Sequence, residues 1–127
     1  MSTRSEDDFF SIFLLLKGIL KKYTSTKLLL RETQTDFCEL IGPSTPVSRG
    51  REVWFGAARI GKRYVSYHLM PVYVFPDLLN EISPELKKRM QGKSCFNFTH
   101  VDEMLFQELA GLTERSHTRY KEEGFLG

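Results

Sequence analysis

Helical spacing of apolar residues brackets a middle stretch in which apolar and polar positions alternate. Phe9, Ile12, Phe13, Leu16, Ile19, Leu20 and Tyr23 recur at a helical period, and Ser5 with Asp8 forms a capping-box pattern ahead of them. This predicts a helix from about Glu6 to Tyr23. Phe10, Leu14 and Leu15 widen the stripe, so the helix is expected to be heavily buried. Near the other end, Val101, Leu105, Leu109, Leu112, Ser116 and Tyr120 predict a second long helix, capped by Thr99 or Asp102 and stopped at Gly124. In between, Lys27–Glu32, Asp36–Ile41, Glu52–Ile60, Lys62–Met70 and Ser94–Phe98 read as strands. A turn near Gln34 joins the first two. Residues 42–50, with Pro43 and Pro46, read as loop. Gly61 is expected at a hairpin turn that calls for a positive φ. Pro76–Met90 reads as two short helical pieces, the second opened by Ser83 and Pro84.

The order predicts an α+β fold of two layers: one mostly antiparallel sheet of about five strands, with the N-terminal and C-terminal long helices on one face. Residues 1–127 form one domain, since no linker divides them. Alternation then sorts the faces. Val53, Phe55, Ala57, Val65, Tyr67, Leu69, Phe96 and Phe98 are expected toward the helices. Trp54, Gly56, Ala58, Tyr64, Ser66, His68, Cys95 and Asn97 are expected on the opposite face, with Lys62 and Lys93 at its rim. That face is either a floor for a ligand or a surface covered by the 71–90 segment or by a second subunit.

Charge narrows the classes only a little. The formal net charge is +2, too small to argue for nucleic acid. Two basic stretches, Arg49 to Arg63 and Lys87 to Lys93, flank Trp54 and Tyr64, but the glycine-aromatic signature of an RNA-recognition strand is absent. Nucleic acid is therefore not an expected partner. The run from Phe9 to Leu20 is too short to span a bilayer and is broken by Lys17; acidic residues precede it and no small-residue cleavage site follows. No membrane association is expected. The two cysteines, Cys38 and Cys95, suit thiols in a reducing, cytoplasmic setting rather than a disulfide framework.

Motifs with chemical content are sparse. Gly56 to Lys62 matches G-x-x-x-x-G-K, but Arg63 stands where Ser or Thr would hold magnesium, and a strand follows instead of a helix. Gly92-Lys93-Ser94 is a shorter echo that lacks the upstream glycine and also leads into a strand. His68, His100 and His117 lack zinc-site spacing to any other ligand, so no metal or cofactor is assigned. His68 and Cys95 could share one sheet face, yet nothing supplies an orienting third group or an oxyanion site, and no catalytic residue is assigned.

The run WFGAARIGKRYVSYHLMPVY from Trp54, then ISPELKKRMQGKSCFNF, then VDEMLFQELAGL, resembles the YdhG-like family of uncharacterised, mostly bacterial domains, over about two-thirds of the chain. The resemblance implies the order of hairpin, short helices, aromatic strand and final helix. Some members are described as frataxin-like iron chaperones, which implies weak iron binding by exposed carboxylates. Here Glu6, Asp7 and Asp8 are the single consecutive acidic triplet, and no ligand is carried over.

The expected function is a non-enzymatic domain that binds a small ligand or a protein, homodimerisation included. Trp54, Tyr64, Ser66, His68, Lys93, Cys95 and Asn97 are the candidate residues. A frataxin-like, metal-handling protein is the second reading. An enzyme using His68 or Cys95 is the third.

Overall fold

A computed structural model describes the backbone of residues 4–126 and the side chains of residues 9–126. The Ser5/Asp8 capping box lies outside the described side chains. Helix α1 spans Arg4–Lys21. Strands β1 (Leu29–Gln34), β2 (Phe37–Gly42), β3 (Val53–Ile60) and β4 (Val65–Leu69) follow. Helix α2 (Met70–Val74), a 3-10 turn (Pro76–Leu79) and helix α3 (Pro84–Lys87) lead to β5 (Met90–Gln91) and β6 (Cys95–Phe98). Helix α4, Glu103–Glu122, completes the order. The strands make one sheet in the order β1-β2-β3-β4-β6-β5, antiparallel throughout. The sixth strand, beyond the five expected, is two-residue β5, at the end of the Pro76–Met90 stretch expected to hold two short helical pieces.

Both long helices pack on one face of this sheet. Leu20 of α1 reaches Gly56, and Tyr67 of β4 shares a 2.7 Å hydrogen bond between hydroxyls with Thr113 of α4. Phe55 meets Tyr120 edge-on at 5.7 Å, and Phe98 meets Phe106 at 4.9 Å. Ile12, Phe13, Leu16 and Leu20 of α1 close the core from above. Asp102 caps α4, its carboxylate accepting from the Leu105 N–H at 3.1 Å, and Gly124 ends it at φ 86°. Ser83 caps α3 through the Leu86 N–H, as expected. Gly61 turns the β3–β4 connection without a positive φ; its N–H donates to the Tyr64 carbonyl across a four-residue loop.

Three expectations about packing fail, each for a local reason. Phe10, Leu14 and Leu15 are about half exposed, because they flank the narrow core stripe of α1 and nothing described lies over them. Val101 is also exposed, since it precedes the helix; Phe106 takes its place in the core. Lastly, residues 71–90 do not cover the outer face. Val72, Leu78 and Leu86 join the helix-side core instead. Asp77 accepts both Arg119 guanidinium bonds, at 3.1 and 2.6 Å, Phe75 lies under Arg119, and Ser83 bonds Glu108.

Candidate functional site

A β-bulge decides what the open face of the sheet presents. β2 and β3 pair regularly from Phe37↔Arg59 to Leu40↔Gly56; then Ile41 faces Trp54, and Phe55 has no partner residue. The extra residue flips the parity of β3. Gly56 and Ala58, expected beside Trp54, lie on the helix side: Ala58 pairs with buried Cys38 and Tyr67. Ala57, expected in the helix-packed core, lies on the open face between Glu39 and His68. Glycine is required at position 56, since a Cβ there would stand 2.7 Å from the His68 carbonyl oxygen and 3.0 Å from Leu20. Trp54 itself keeps the open side.

The open face is therefore built of rows running across the strands. One row reads Arg31, Glu39, Ala57, His68, Cys95, Gln91; its neighbour reads Gln34, Phe37, Arg59, Ser66, Asn97. Trp54 lies across the first. Its indole N–H donates to Glu39 Oε1 at 3.0 Å, and its ring sits 5.8 Å from that of His68. Glu39 and His68 flank Ala57, so the indole roofs that methyl group, which is 1% exposed. The same Glu39 carboxylate accepts from Arg31 at 3.0 Å.

A second polar lattice occupies the β4–β6–β5 side. Ser66 and Cys95 both donate to Asn97 Oδ1, at 2.9 and 3.3 Å. Asn97 Nδ2 and the Tyr64 hydroxyl both donate to Gln91 Oε1, at 2.6 and 3.1 Å. Six of the seven candidate residues thus lie on one surface. Lys93 does not join the lattice: it stays exposed on the β5–β6 turn, at the other end of the strands from Lys62. The residues that sequence reasoning missed are Glu39 and Gln91, each the shared acceptor of one lattice. Cross-strand register places them there, and no motif marks them.

The electrostatics argue for a quiet surface. Burial raises the Cys95 thiol above its ordinary value, only partly offset by the Ser66 hydroxyl, so the thiolate is disfavoured. Burial, with help from Arg59, lowers His68, which is neutral at pH 7. Burial also raises the Cys38 thiol, on the helix side of the sheet. Among the described residues, no three His, Cys, Asp or Glu side chains converge as a metal site would need. No described helix is long and apolar enough to cross a membrane.

A second surface differs in kind. From Phe9 to Leu16, α1 carries no ionisable residue. Its side away from the sheet presents Phe10, Leu14 and Leu15, at 50, 46 and 47% exposure. Beside them a groove of about 310 Å³ runs between α1 and α4, lined by Leu15, Ile19, Phe106 and Ala110 together with Glu103 and Gln107. No protein-family model, curated protein or solved structure matches this chain.

Proposed function

We propose that the protein is a non-enzymatic interaction domain that pairs with a second copy of itself through α1. The observation that carries this reading is the uncharged, half-exposed run of Phe10, Leu14 and Leu15 on a helix whose sequence is patterned for heavier burial. A two-fold contact requires one patch to complement itself. Here apolar side chains lie directly beside a mostly apolar groove, with Glu103 and Gln107 on its α4 side. The charges agree: Glu6, Asp7 and Asp8 fall in the first turns of α1 and Lys21 in its last, while Lys17 is already paired with Glu32. Antiparallel pairing of two such helices sets the acidic end of each over the basic end of the other. The open sheet face fits this role less well, because most of its polar groups already bond one another. The likeness to YdhG-like domains enters this proposal for the fold alone.

Sedimentation equilibrium of the full chain tests the reading. A mass twice the 14.8 kDa of one chain is expected at micromolar concentrations. Leu14→Lys with Leu15→Lys should return the monomer, while Arg59→Glu on the sheet face should leave the dimer intact. A monomer at several hundred micromolar (on the order of a 4–5 kcal/mol interaction at most), a dimer broken by Arg59→Glu alone, or co-sedimentation with neutral vesicles would overturn it.

A further inference from the structure

On the helix side of the sheet, where α1 and α4 both end, the fold forms a cavity of about 380 Å³. Its wall is aromatic. Tyr23 and His117 lie 4.9 Å apart at an interplanar angle of 34°, and Phe55 backs them at 6.2 and 6.0 Å. Leu126 adds an apolar contact. Lys22, Lys27 and Lys121 line the same cavity. All three are exposed, and none takes part in an ion pair among the described residues. A smaller depression of about 150 Å³ adjoins it, sharing Lys27 and Leu126.

Lysines near helix C-termini usually just answer the helix dipole. That explanation covers Lys22 and Lys121 but not Lys27, which comes from the α1–β1 connection and meets them at the same concavity. Three ammonium groups around one hollow raise the local potential for an anion, and lysine binds phosphate as a point charge. The hollow is at the small end of ligand pockets, about 300–1,000 Å³, so it suits one ring rather than a polymer. His117 faces Tyr23 from the turn that follows α1, Phe55 from β3 and Lys121 on its own helix, and Glu114 acts on Tyr23. Burial first, then Lys121, holds His117 below its ordinary value, so its uncharged ring presents a face for stacking and one N–H donor.

We infer that this cavity binds a small phosphorylated compound carrying a planar ring, the ring against Tyr23 and His117 and the phosphate among Lys22, Lys27 and Lys121. The site lies within one chain and does not depend on self-association.

Titrating the full chain with phenyl phosphate, inorganic phosphate and phenol, followed by amide and histidine-ring NMR, tests it. Phenyl phosphate should bind at least about tenfold more tightly than inorganic phosphate, the equivalent of roughly 1.4 kcal/mol. Phenol should not bind. Amide shifts should concentrate at residues 22–27 and 117–121, and the His117 ring should titrate at higher pH in the complex. Lys27→Ala and Lys121→Ala should each weaken phenyl phosphate severalfold with unchanged thermal unfolding. Equal affinity for the two phosphates, shifts centred on Lys62 and Arg63, or lysine variants that bind as the wild type does would each sink the inference.

Discussion

Among the described residues nothing covers the open sheet face or the outer side of α1, yet the two are finished in opposite ways. On the sheet, Trp54 lies flat over Ala57, and Glu39, Asn97 and Gln91 each accept more than one bond. The surface is aromatic and polar, but most of its polar groups are already partnered. On α1, Phe10, Leu14 and Leu15 have no such partners and no charges among them. An antiparallel sheet with one solvated face is ordinary, whereas a helix with an apolar solvent side is not.

That contrast can be broken or sharpened by mutation. The largest effect should come from Gly56→Ala, which forces a methyl group toward the His68 carbonyl at the bulge. A loss of about 3 kcal/mol is expected from the denaturant midpoint, the upper range for overpacking. An unchanged midpoint would show that the bulge does not fix the face. Trp54→Ala should cost about 2 kcal/mol, less than a fully buried tryptophan, because the indole is only partly buried. Self-association should persist in this variant; its loss would move the interface to the sheet.

A smaller effect concerns pH. Burial lowers His68 in the folded state from the ordinary 6.5, so the unfolded chain binds more protons there. Stability is then full above about pH 6.5 and declines as the pH falls below it. His68→Phe keeps a ring against Trp54 and should flatten part of that decline, with His117 accounting for a further share. Identical pH profiles for the two proteins would contradict the burial argument. The smallest effect belongs to α1: Leu14→Gln with Leu15→Gln should change monomer stability by no more than about 0.5 kcal/mol, as surface changes do. A large loss at concentrations where the chain is monomeric would show that these leucines serve the core.

Much of the architecture was legible in the chain because its cues are local. Helical spacing, Ser83-Pro84, Asp102 and Gly124 each act within a few residues, and each does so in the fold. What escaped reading depends on pairing across the sheet. From the hairpin, strict alternation would pair His68 with Ala57 and leave Trp54 on the opposite side. The two rings share a face because Phe55 is the extra residue of a bulge. The placement of Trp54 beside His68 was therefore expected on an argument that omitted its cause, while Gly56, Ala57 and Ala58 were assigned to the wrong sides. The cavity at Tyr23 and His117 was invisible for a similar reason: its residues stand about ninety positions apart, and only the packing of α1 on α4 unites them.

The strand order has a consequence for how the chain reaches this state. β1 to β4 follow one another both in sequence and in space, so each pairing closes a short loop. β6 joins β4 only after the whole 70–94 stretch, and Tyr67 finds Thr113 across a separation of 46 residues. Loop closure is entropically cheapest for the meander, which should nucleate first, with α4 docking late. Folding rates would then respond to substitutions at Ala58 or Leu40, while substitutions at Leu109 or Leu112 would act mainly on unfolding rates. The reverse pattern would mean that the two terminal helices, not the sheet, organise the barrier.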